Sequence, residues 1–96
     1  MYARVTKIRF PPEMTAEVTS VAQDLAPILK RQRGFEGLQV LTDPNAGEGI
    51  IICFWETEAE AEASEDTSSY IGQISMMSSF LSEPLVPETY EVSMKT

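Results

Sequence analysis

Arg4, Thr6, Cys53, Trp55 and Tyr70 are the side chains of this 96-residue chain whose types and spacing could do chemistry on a small organic molecule. Arg4 and Thr6 stand two residues apart, so in an extended segment they project from one face. A guanidinium facing a pocket could hold a carboxylate or phenolate; the same side chain near a strand end could reach water instead. If that face meets helices, both polar ends need partners, because an unpaired buried charge is costly. Tyr70 could hydrogen-bond a phenolic oxygen or pack as core, since it lies on an apolar stripe. Together these groups could hold a small acidic organic molecule in an aromatic pocket by a cation and hydrogen bonds. The chain has no histidine, so the base must be Tyr70, or the substrate must itself be acidic.

Composition narrows the alternatives. With no histidine and one cysteine there is no disulfide framework and no Cys- or His-based metal cluster, and no metal or cofactor is expected. Cys53 stands in "IIICFW", where a thiol usually behaves as a small hydrophobe, with a reactive role the other reading. The net charge of −8 argues against nucleic acid and anionic membrane as partners. No run reaches the roughly 18 apolar residues of a membrane span, and "MYARVTKIRF" lacks the apolar core of a secretory signal, which predicts a cytoplasmic protein. The length predicts one domain over residues 1–96.

The elements that must position these residues follow from periodicity. "YARVTKIRF" (2–10) reads as a strand with Tyr2, Arg4, Thr6, Ile8 and Phe10 on one face, ended by Pro11 and Pro12. From Glu13 the period becomes helical through Met14, Val18, Val21, Leu25, Ile28 and Leu29, with a kink or break expected at Pro27. Lys30, Arg31 and Arg33 fall at the helix end, where cations favour the dipole, and Gly34 suits a left-handed cap. "LQVLTD" (38–43) and "GIIICFWE" (49–56) form a hairpin around "PNAGE". Thr57, with Glu60 three residues on, opens a second helical region, and Glu58, Glu60 and Glu62 read as its solvated face rather than a cation site. "SEDTSS" interrupts that region. It resumes as "YIGQISMMSSFLS" with Tyr70, Ile74, Met77 and Leu81 on one stripe and Ile71 and Phe80 beside it, and Gly72 marks close packing or a bend. "ETYEVSMK" (88–95) is a fourth strand.

The order β-α-β-β-α-β predicts an α+β fold of the ferredoxin-like kind, an antiparallel sheet with its helices on one face. In it the third strand is central. Ile51, Cys53 and Trp55 point one way and Ile50, Ile52 and Phe54 the other, and both sets are apolar. Leaving the second set in water would forgo about 1.5 to 3 kcal/mol per side chain, so a second copy of the sheet is expected to cover it, giving a homodimer.

On "YARVT", "ILKRQRGFEG" after Pro27, "GEGIIICFWETEAEAEAS" and "YEVSM", the chain resembles the dimeric α+β barrel superfamily and, within it, the antibiotic biosynthesis monooxygenase-like proteins. The resemblance implies a pocket between helices and sheet, lined by a tryptophan near the end of the third strand, which Trp55 matches. Trp55, Arg4 and Tyr70 are then the candidate catalytic residues, and Thr6, Cys53, Ile74, Met77 and Phe80 the candidate substrate-binding ones. Core packing is the other reading of Trp55, since burying an indole is worth roughly 4 to 6 kcal/mol. The heme-degrading relatives use an asparagine where Thr6 stands and a histidine absent here, so their mechanism is not expected. The implied function is cofactor-independent monooxygenation of an aromatic phenol, quinol or polyketide-like substrate. The alternative is a non-catalytic dimer that binds a small ligand.

Overall fold

The computed structural model describes all 96 residues. Strand β1 spans Tyr2–Arg9, and Pro11 and Pro12 turn the chain out of the sheet. A short 3-10 turn, Pro12–Met14, leads into α1, Thr15–Gln23, and α2 follows as Leu25–Lys30. The break between them falls at Asp24. Pro27 cannot donate to the carbonyl of Gln23, and its ring crowds that carbonyl, so one helix becomes two with Pro27 in the first turn of the second.

Strand β2, Phe35–Asp43, starts three residues earlier than the alternation predicts. A bulge between Phe35 and Gly37 accommodates Glu36 and turns Phe35 to the same face as Trp55. Gly34 is left-handed (φ 83°), yet it serves the entry to β2 rather than a helix cap: α2 already ends at Lys30, capped by Arg31, and the Gly34 carbonyl accepts a hydrogen bond from the amide of Glu56 (2.8 Å). Strand β3 is Glu48–Trp55. Thr57 caps α3, Glu58–Ala63, by accepting from the Glu60 amide (3.2 Å), as the spacing predicts. The interruption is a 3-10 turn, Ser64–Asp66, followed by α4, Ser68–Ser78, capped by Thr67. Strand β4 is Pro87–Glu91, shorter than the predicted 88–95. It pairs only with β1, whose Tyr2 lies opposite Glu91, so the partner strand runs out there.

The sheet is antiparallel throughout, in the order β2-β3-β1-β4. Ile8, Ile51, Cys53 and Trp55 from its inner face, with Phe10 just past β1, meet Val18, Val21, Ala22, Leu25, Leu29, Ala61 and Met77 from the helices in one core. On the outer face Ile50, Ile52 and Phe54 are half-buried within the single chain, flanked by exposed Leu41 and Tyr90. This is the α+β arrangement expected from the element order, with β3 central. No helix is long and apolar enough to cross a membrane.

Candidate functional site

Between the inner face of the sheet and the helices lies a cavity of about 210 Å³. Its polar wall is Arg4 and Thr6 from β1, Cys53 from β3, Ser64 and Glu65 from the 3-10 turn, and Tyr70 from α4. Leu25, Leu29, Ile51 and Ile74 form most of the apolar wall. An apolar cavity of about 150 Å³ holds benzene, so this one fits a single substituted ring, with two fused rings at the limit.

Strand register places the charged centre. Arg4 lies opposite Cys53 on one side and Thr89 on the other. Its Nη1 donates to Thr89 Oγ1 (2.5 Å), and its Nε donates to the carboxylate of Glu65 in an ion pair. Both side chains of the pair are only about one-fifth exposed (21% and 23%), so the partners Arg4 requires are built into the fold. The turn that carries Glu65 is itself held: Ser64 Oγ donates to the carbonyl of Ala61 (2.7 Å), and Gln32 Nε2 donates to the carbonyl of Ser64 (3.3 Å).

The neighbouring acids are shifted by their surroundings. Burial, and then the Glu65 carboxylate, push the Cys53 thiol up to about 12. Burial raises the Tyr70 phenol well above its ordinary range, with Glu65 and Cys53 adding to the effect and Arg4 opposing it. Both groups therefore stay protonated near neutral pH. Cys53 is a buried free thiol, and the Tyr70 phenol lines the cavity beside it.

Of the predicted site residues, Arg4, Thr6, Cys53, Tyr70 and Ile74 line the cavity together. Trp55 does not. It sits one pleat beyond Cys53 at the end of β3, fully buried, with Phe35 against it edge-on (centroids 5.5 Å apart, 72° between planes). Its Nε1 is buried without a partner. Met77 is likewise fully buried in the core and does not line the cavity. Phe80 lies past the end of α4 and lines a shallow depression with Ala16, Ser20 and Val21 of α1, away from the cavity. The residue that sequence reasoning missed is Glu65; its signal was indirect, the need of Arg4 for a counter-charge.

Elsewhere the molecule offers less. An open depression of about 580 Å³ lies at the β2–β3 hairpin end, where Arg9 already pairs with Glu48 (2.6 Å) and both are about half exposed. Glu58 and Glu62 are exposed, as a solvated helix face should be, but Glu60 is not: its carboxylate turns back to accept from Thr57 Oγ1 (3.0 Å) and lies 3.9 Å from Arg33 Nε. No three His, Cys, Asp or Glu side chains converge as a metal site would need.

Comparison with known proteins agrees with this architecture. The family described as antibiotic biosynthesis monooxygenase matches residues 1–71. No curated protein matches the sequence. Among solved structures, a putative antibiotic biosynthesis monooxygenase from Bordetella bronchiseptica superposes with a TM-score of 0.85 at 15% identity, covering 97% of each chain. One from Nitrosomonas europaea gives 0.84 at 16% identity, covering 98% of this chain and all (100%) of the other. SnoaB, a cofactor-independent oxygenase from Streptomyces nogalater, gives 0.80 at 14% identity, covering 98% of this chain and 94% of its own.

Proposed function

The chain belongs to the antibiotic biosynthesis monooxygenase family, and from that membership we propose that it oxygenates a small electron-rich phenol with dioxygen, without metal or flavin. The observation that carries the reading is the grouping of Arg4, Glu65 and Tyr70 on the polar wall of one cavity whose opposite wall is apolar. Arg4 stabilises the phenolate and Tyr70 donates a hydrogen bond to its oxygen. The phenolate gives one electron to dioxygen, the resulting radicals join as a C–O bond at the ring, and cleavage of O–O leaves a quinone carbonyl. The second oxygen leaves as water with the phenolic proton and the displaced ring hydrogen. The cavity's size favours one-ring substrates over a three-ring polyketide.

Oxygen uptake with mono- and bicyclic phenols tests this. Wild type should consume one dioxygen per quinone formed, and Arg4→Met should lower kcat/KM by about 10²-fold. No uptake above the buffer rate with any phenol would sink the reading. The second reading, a protein that binds a small ligand without turning it over, is favoured by Trp55 lying in the core instead of on the cavity.

The homodimer belongs to the same proposal. Ile50, Ile52 and Phe54, with Leu41 and Tyr90, form an apolar outer face that a second copy would bury. Sedimentation equilibrium should give twice the chain mass for wild type and a monomer for Ile52→Lys; a monomeric wild type at high micromolar concentration would refute it.

A further inference from the structure

Arg4 reaches the cavity with its charge already matched. Glu65 accepts its Nε–H, Thr89 accepts from Nη1, and the two side chains are equally buried. The cavity therefore presents a neutral pair, and an arriving anion meets the Glu65 carboxylate as well as the guanidinium. A like charge beside a carboxylate that is nearly four-fifths buried is unfavourable. A neutral hydroxyl meets no such obstacle. The ionisable groups facing Glu65 are Arg4 from β1, Cys53 from β3 and Tyr70 from α4, and of these only Arg4 is charged near neutral pH.

Building on the proposed oxygenation, we propose that Glu65 selects the protonated phenol and is the base that ionises it. The phenolic proton passes to the Glu65 carboxylate, which neutralises it, and Arg4 is left to hold the new phenolate. The pair that looks like a closed ion pair is then a proton acceptor and an anion site that come apart only when substrate supplies the charge. This resolves the lack of histidine, and it predicts discrimination against carboxylates and against phenols already ionised in solution.

The test is the pH dependence of 4-nitrophenol binding, followed by calorimetry and by the visible band of the phenolate, and it needs no turnover. In wild type, affinity should fall about tenfold per pH unit above the probe's solution pKa, because only the neutral form enters. The bound probe should nevertheless show its phenolate band below that pKa. In Glu65→Gln the Arg4 charge is unmatched, so affinity should rise about tenfold per unit up to the probe's pKa and then level off. Glu65→Asp should restore the wild-type direction, which a misfolded Gln variant could not imitate. Equal pH slopes in wild type and Glu65→Gln, or a bound probe without its phenolate band in wild type, would overturn the role of Glu65. If wild type binds no phenol at any pH, the cavity is not a phenol site and the functional reading falls with it.

Discussion

Replacing Trp55 by phenylalanine tests where the indole lies. The change deletes the pyrrole part of the ring from a fully buried position. Losing its two carbons from the core costs about 1.6 kcal/mol at roughly 0.8 per buried methylene. The void of roughly 40 Å³ adds about 1 kcal/mol at 24 cal/mol per Å³. Against this stands Nε1, which is buried without a partner. Removing an unsatisfied donor returns about 1 to 3 kcal/mol. The two sides nearly cancel, so Trp55→Phe should change stability by no more than about 1.5 kcal/mol, whereas Trp55→Ala should cost about 3 to 5. Urea unfolding followed by circular dichroism measures this, since the variant has no tryptophan to report fluorescence. Phenol affinity should be unchanged in the Phe variant, because Trp55 does not line the cavity. A stability loss above about 3 kcal/mol would refute the cancellation and mean that Nε1 has a partner. A tenfold loss of affinity would return the indole to the site.

Two other outcomes follow from the same structure. Gly72 lies in the interior of α4 with nothing within 4 Å of where a Cβ would stand, so Gly72→Ala should raise stability by about 0.5 to 1 kcal/mol in thermal or urea unfolding. Stability should also fall in alkali. The folded Cys53 thiol ionises near 12 against an ordinary value of 9.0, so its contribution is complete below pH 9 and is lost as pH rises toward 12; Cys53→Ala should flatten that slope.

The fold was legible because its signals are local. The alternation of Ile51, Cys53 and Trp55 against Ile50, Ile52 and Phe54 marks β3 as a central strand, Pro27 marks a helix break, and Thr57 marks a helix start. The site was legible in part. Arg4 and Thr6 share a face by simple period, and that face does meet a cavity. Glu65 was hidden because its partner lies 61 residues away, and nothing in "SEDTSS" distinguishes it from its solvated neighbour Asp66. The pocket role of Trp55 came from the family resemblance, with core packing as the other reading; strand alternation tells which face a residue takes, not which helix covers it, and the indole lies in the core. Whether the end of β3 meets cavity or core depends on the bulge that turns Phe35 inward.

The doubly apolar strand has a further consequence, for the chain before it folds. Residues 50–55, "IIICFW", contain no charge, proline or glycine and consist largely of strong strand formers, which is the composition that stacks into fibrils when exposed. In the native sheet β3 is paired along both edges, by β1 and by β2, and cannot template another chain. A nascent chain has no such cover until β1, made some fifty residues earlier, folds back onto it. Glu48 and Glu56 flank the segment as gatekeepers, and the acids of α3 follow at once. The run of glutamate after the tryptophan thus keeps the most insoluble stretch of the protein soluble during the interval in which it has no partner strand.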